Sequence, residues 1–123
     1  MTSKLIYVAD DERIITHLLE FAFLRVGNYE VHSFSSGEDL LKNMDVCPDA
    51  VVLDYSFEGH MTGLETLKEI KQKKNELPVI MLTGQEEAEL KQAFYQNGAF
   101  KYIHKSGFFV DDVLDTVDCA LAQ

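Results

Sequence analysis

Apolar residues fall along this chain in two rhythms. Leu5-Ile6-Tyr7-Val8-Ala9, Val51-Val52-Leu53 and Val79-Ile80-Met81-Leu82 are continuous runs too short for helices. Runs of this kind, rich in branched residues, read as strands buried on both faces. Pro78 stands at the head of the third, where proline is tolerated. Residues 29–34 alternate, with Tyr29, Val31 and Ser33 on one side and Glu30, His32 and Phe34 on the other, as an edge strand does. Residues 100–104 form a fifth strand.

Between these runs the spacing turns helical. Ile14, Ile15, Leu18, Leu19, Ala22, Phe23 and Val26 predict a first helix, ended by Gly27-Asn28. Ser35 to Glu38 offers a capping box for a short helix carrying Leu40, Leu41 and Met44, which stops near Pro48. Thr62 to Glu65 is a second box, followed by Leu64, Leu67 and Ile70, with Lys68, Lys71, Lys73 and Lys74 on the wet face. Glu86, Glu87 and Glu89 load the start of a fourth helix with Leu90, Ala93 and Phe94, closed by Asn97-Gly98. Val110, Val113, Leu114, Val117 and Leu121 mark a fifth.

Five strands alternating with five helices demand right-handed crossovers. The expected fold is a doubly wound α/β sandwich, (βα)5 and flavodoxin-like, with parallel strand order 2-1-3-4-5. Residues 1–123 make one domain, with no linker or repeat. The ligand crevice of such a sheet lies outside the carboxyl ends of the first and third strands.

Composition narrows the function. Twenty-one acidic against 11 basic residues give a formal charge of −10. That balance opposes a nucleic-acid or anionic-membrane surface, both of which need a basic footprint. Cys47 and Cys119 lack metal-type spacing and are expected as buried, reduced thiols. Met1-Thr2-Ser3-Lys4 leads straight into a strand, and no apolar run approaches a membrane span, so a cytoplasmic protein is expected.

The strand ends carry the chemistry. Asp10 and Asp11 follow the first strand, Asp54 ends the third, Thr83 the fourth, and Lys105 follows the fifth. If the first and third strands are neighbours, three carboxylates meet. They cannot all stay ionised at close range unless one keeps a proton or a cation joins them. Oxygen ligands with water-filled positions suit Mg²⁺. A metal beside a lysine and a hydroxyl leaves room for an anion, and a carboxylate can itself be the nucleophile that becomes an aspartyl phosphate.

The set Asp10-Asp11, Asp54, Thr83 and Lys105, in this order and each at a strand end, resembles that of bacterial response-regulator receiver domains (CheY-like). The resemblance covers essentially the whole chain, and residues 97–105 are similar to the family's Gly-Ala…Tyr…Lys ending. It implies that Asp10, Asp11, Asp54 and the backbone carbonyl of Ser56 hold Mg²⁺. It implies that Asp54 takes phosphate from a sensor histidine kinase or histidine phosphotransfer protein. Thr83 would bond the phosphoryl group, Lys105 would pair with it, and Tyr102 would be the aromatic switch. A downstream protein would read the surface of the fourth helix, fifth strand and fifth helix, and phosphorylation-dependent homodimers are a further expectation. Self-catalysed phosphorylation and dephosphorylation would be its only chemistry, so it would not be a conventional enzyme. With no output segment after the last helix, signalling would be by contact.

Three positions depart from the family pattern. Ser106 stands where proline is usual, residues 56–63 are one residue longer, and Gly84 replaces alanine or another small residue. Ser56 and Gln85 flank the acceptor at variable positions. Blander readings stand beside the sharp ones: Asp11 as a helix cap, Lys105 as a surface cation, Tyr102 as strand packing, and His17, His32, His60 and His104 as ordinary surface or strand residues. The rival functions are a degenerate receiver that only binds proteins, a Mg²⁺-dependent aspartyl phosphatase, and a flavin-binding domain. The last two lack, respectively, an added general acid and a phosphate-cradling loop.

Overall fold

The computed structural model describes residues 3–57, 59–85 and 87–122. Met1 and Thr2 of the expected lead-in, and Glu86 of the expected acidic turn, lie outside them. The elements run β1 (Lys4–Ala9), α1 (Arg13–Val26), β2 (Tyr29–Phe34), α2 (Gly37–Lys42), β3 (Ala50–Asp54), α3 (Gly63–Lys73), β4 (Val79–Thr83), α4 (Ala88–Gln96), β5 (Lys101–His104) and α5 (Phe109–Leu121). All five strands are parallel, in the order β2-β1-β3-β4-β5. The doubly wound flavodoxin-like fold is therefore present as expected. No helix among the described residues is long and apolar enough to cross a membrane.

The pleat divides the core in two. Ile6, Val8, Val52, Ile80 and Leu82 point toward Ile15, Leu19 and Phe23 of α1 and Val113 and Val117 of α5. Tyr7, Val51, Leu53, Val79 and Met81 point the other way, toward Leu40, Leu67, Ile70 and Phe94 of α2, α3 and α4. Each fully buried Val, Leu or Ile contributes about 1.5–3 kcal/mol. The central strands β3 and β4 are buried throughout, and so have one register that keeps both cores.

Three sequence expectations change. The second helix is capped by Ser36, whose hydroxyl accepts the Asp39 N–H at 3.2 Å, and not by a Ser35–Glu38 box. Glu38 instead accepts the Met61 N–H at 3.1 Å and faces His60 at 3.5 Å. The Thr62–Glu65 box is present. On α1, only Ile15, Leu19 and Phe23 of the expected apolar set are buried, while Ile14, Leu18 and Val26 face outward. Cys47 and Cys119 are both free and exposed, because one lies in the turn after α2 and the other on the outer side of α5.

One glycine fixes the site's floor. A Cβ on Gly63 would lie 2.0 Å from the Asp54 carbonyl oxygen and 2.7 Å from Tyr55 Cα. Both are backbone and cannot swing aside. Gly63→Ala is expected to destabilise the domain by about 1–3 kcal/mol. At Gly84 the same atom meets nothing within 4 Å, so Gly84→Ala should stay within about 0.5 kcal/mol of the wild type. Urea denaturation of the two variants measures the contrast, and equal midpoints would contradict it.

Candidate functional site

Parallel pairing of β1 with β3 brings Asp10 and Asp54 together at one end of the sheet. Asp10 is buried, and its Oδ1 accepts the Glu12 N–H at 2.9 Å. Asp54 is 4 % exposed, and its Oδ1 accepts the Tyr55 N–H at 2.8 Å. Lys105 reaches in from the end of β5, with Nζ 2.9 Å from Asp10 Oδ2, 3.1 Å from Glu12 Oε1 and 3.3 Å from Asp54 Oδ1. Asp11 is exposed at the rim.

Asp10, Asp11, Glu12 and Asp54 each offer a ligand oxygen, all within 4.8 Å of one another. Sequence reasoning missed Glu12. It follows the acidic pair directly, where a third acid reads as the start of a helix, and it does occupy the N-cap of α1 without a side-chain cap bond. Only the reach of Lys105 across the sheet reveals that its carboxylate belongs to the cluster.

Burial pushes the Asp54 carboxyl up to about 6, and the Asp10 charge adds to it, against the opposing pull of Lys105. Burial likewise raises Asp10, in spite of its bonds from Lys105 and Glu12. At Lys105 burial works the other way, but the bond and charge of Asp10 and the charge of Asp54 outweigh it and hold the ammonium firmly protonated.

Thr83 and Tyr102 stand one step from the carboxylates, joined through Gln85. The buried Thr83 hydroxyl oxygen accepts the Gln85 N–H at 3.1 Å. The Tyr102 hydroxyl donates to the Gln85 carbonyl, and its ring lies 5.7 Å from that of Phe94. The half-buried Tyr102 thus packs as a strand residue and also holds the loop. Gln85 Nε2 further donates to Ser56 Oγ at 3.3 Å, so the two variable flanking positions touch. A cleft of about 510 Å³ opens over the cluster, lined by Asp11, Asp54, Ser56, Gly84, Gln85 and Lys105. Among the described residues there is no cis peptide bond, including at Lys105–Ser106.

A family profile for the response regulator receiver domain matches residues 6–117. The chain belongs to this family. It is 33% identical over 124 residues to the DNA-binding transcriptional regulator NtrC of Klebsiella pneumoniae, covering all of this chain and 26% of that protein. It is 36% identical over 104 residues to the alkaline phosphatase synthesis transcriptional regulatory protein PhoP of Bacillus subtilis, covering 84% of this chain and 42% of the relative. The chain therefore spans about a quarter to under a half of these relatives. Among solved structures, it resembles the receiver domain of NtrX from Brucella abortus with a TM-score of 0.87 at 31% identity, covering 96% of this chain and 98% of the other. It also resembles the BeF3-activated DrrB receiver domain with a TM-score of 0.88 at 28% identity, covering 99% of this chain and 100% of the other.

The electrostatics of the site give a stability prediction. Between pH 3.8 and about 6 the folded state keeps a proton on Asp54 that the unfolded chain has released. Stability from this group is thus full below the lower value and lost as the pH rises through the upper. Without metal, Asp54→Asn should be more stable than the wild type near neutral pH by on the order of 1–2 kcal/mol, after discounting for water at the cleft. The gap should close toward acid pH. Thermal melts in chelator across this range measure it, and a pH-independent gap would contradict the assignment.

Proposed function

We propose that the domain accepts a phosphoryl group on Asp54 from a phosphohistidine donor, with Mg²⁺ held at the acidic cluster, and signals by a shift of the loop after β4. The observation that carries this reading is the charge imbalance at the strand ends, where four carboxylates face one ammonium. An all-oxygen donor set suits a hard divalent cation. Asp10 Oδ2 is buried with the Lys105 ammonium 2.9 Å away as its counter-charge, and its remaining lone pair fits the same need. Asp10, Asp11, Asp54 and the Ser56 carbonyl would hold Mg²⁺, with Glu12 a further carboxylate in reach. Once bound, Mg²⁺ supplies neutralising charge for the carboxylates and for phosphoryl oxygens.

The chain's own groups do the rest. An ionised Asp54 oxygen attacks phosphorus in line with the P–N bond of the donor. The O–P bond forms, the P–N bond breaks, and its electron pair stays on the imidazole nitrogen. Lys105 moves from carboxylate to phosphoryl oxygen. The Thr83 oxygen accepts the Gln85 N–H, and its own proton would turn to a phosphoryl oxygen. Attack of water on phosphorus later returns Asp54 and inorganic phosphate. A phosphoryl group that draws on Thr83 biases the Gln85 peptide and, through its carbonyl, Tyr102.

Exposed apolar side chains support a reading of the partner surfaces. Ile14, Leu18, Phe21 and Leu24 are 68%, 44%, 62% and 73% exposed along one side of α1, whose first turn adjoins the cluster. A histidine kinase or phosphotransfer protein would dock there. A downstream protein, or a second copy of the phosphorylated domain, would read α4, β5 and α5, where Tyr95 on α4 and Phe108 at the N-cap of α5 are exposed.

Intact mass after incubation with Mg²⁺ and acetyl phosphate tests the chemistry. One phosphoryl adduct is expected, absent with chelator and in Asp54→Asn. A folded protein that takes no adduct would favour the binding-only alternative. For docking, Leu18→Asp with Phe21→Asp should slow transfer from any histidine kinase that labels the wild type by about tenfold or more. Acetyl phosphate labelling of that variant should be unchanged, and transfer at the wild-type rate would move the docking surface elsewhere.

A further inference from the structure

β5 and the residue after it hold the end of β4 and the loop that follows at three successive carbonyls. The Lys105 N–H donates to Thr83 O at 2.8 Å, and the Tyr102 hydroxyl donates to Gln85 O. Between them, His104 Nε2 lies 3.1 Å from Gly84 O. A carbonyl can only accept, so Nε2 carries the ring proton. The Ser106 hydroxyl, 2.8 Å from Nδ1, is then the donor to the other nitrogen. Both nitrogens of this half-buried ring are satisfied, one by each of the two loops that carry reactive groups.

We infer that His104 is a positioning residue that clamps the Gly84 peptide and ties the Thr83 loop to the Lys105 loop. Both loops need such a tie. Gly84 has no side chain to restrict its backbone, and nothing lies within 4 Å of where a Cβ would be. On the other side, Gly107 adopts a φ of +57°, leaving Ser106 on a turn with little side-chain packing. The strand register sets His104 directly beside Thr83. From there its ring can hold the next peptide while Lys105, one residue on, turns to Asp10 and Asp54. Releasing Gly84 frees Gln85 to leave both Thr83 Oγ1 and Tyr102, which weakens the arrangement that keeps the Thr83 proton available. The effect on chemistry rests on the reading of Asp54 as the acceptor; the clamp itself does not.

The test compares the wild type with His104→Ala, His104→Gln and Ser106→Ala in the full chain. Ring ¹⁵N spectra should show the Nε2–H tautomer in the unphosphorylated wild type. Amide exchange at Gly84 and Gln85 should quicken in His104→Ala while the urea midpoint barely moves. Labelling of Asp54 by acetyl phosphate and Mg²⁺ should slow about fivefold in His104→Ala, and Gln, which keeps a donor, should recover to within about twofold. Ser106→Ala should show a smaller loss of the same kind. An Nδ1–H ring, unchanged loop exchange and labelling in His104→Ala, or a Gln variant no better than Ala would each overturn the clamp. If the wild type itself takes no phosphoryl group, the acceptor reading falls, and the tautomer and exchange data alone decide the clamp.

Discussion

The ammonium of Lys105, lodged among Asp10, Glu12 and Asp54, is the interaction on which the rest of the site depends. It bridges the ends of β1 and β3 from the end of β5, and without it buried carboxylates would face one another with no counter-charge. Even with it the balance is incomplete. Burial and mutual repulsion still push Asp54 up to about 6. On the function proposed above, a cation taken into the pocket would relieve Asp54 and leave its carboxylate a usable nucleophile. Replacing one partner of such a group leaves the others uncompensated, so the cluster behaves as a unit.

The fold supplies this arrangement cheaply. Parallel strands with both faces buried must end where their apolar runs end, and the polar residues that follow emerge at one edge of the sheet. β1 and β3 contribute the carboxylates, β4 the Thr83 hydroxyl, and β5 the lysine. A second, softer layer surrounds that rigid base. The segment after β4 is held by Lys105, His104 and Tyr102 at three consecutive carbonyls, and by Thr83 at the Gln85 N–H. Hydrogen bonds of this kind are individually small, so a ligand drawing on one of them can redistribute the rest.

Much of this was legible in the residues. The continuous apolar runs predict the central strands, and once their order follows, Asp10, Asp54 and Lys105 must converge. Glu12 was not legible, because its identity says nothing about which way its side chain turns. The cap at Ser36 was ambiguous beside an adjacent serine, and only the Asp39 N–H bond to the Ser36 hydroxyl decides between them. The outward face of α1 was hidden by its own hydrophobicity, since Ile14 and Leu18 fit a helical period as well as Ile15 and Leu19 do. His104 looked like an ordinary strand residue, and only the distance to Gly84 gives it a role. In each case the missing information was side-chain direction or tertiary contact, which periodicity does not carry.

The most direct test of the central claim, that an under-neutralised carboxylate cluster draws in a cation, is Mg²⁺ titration calorimetry in buffers of different ionisation enthalpy. At a pH near the Asp54 value of about 6, binding should expel protons, and the release should shrink as the pH is raised above that value. Binding that is absent, or that releases no protons anywhere in this range, would contradict the account.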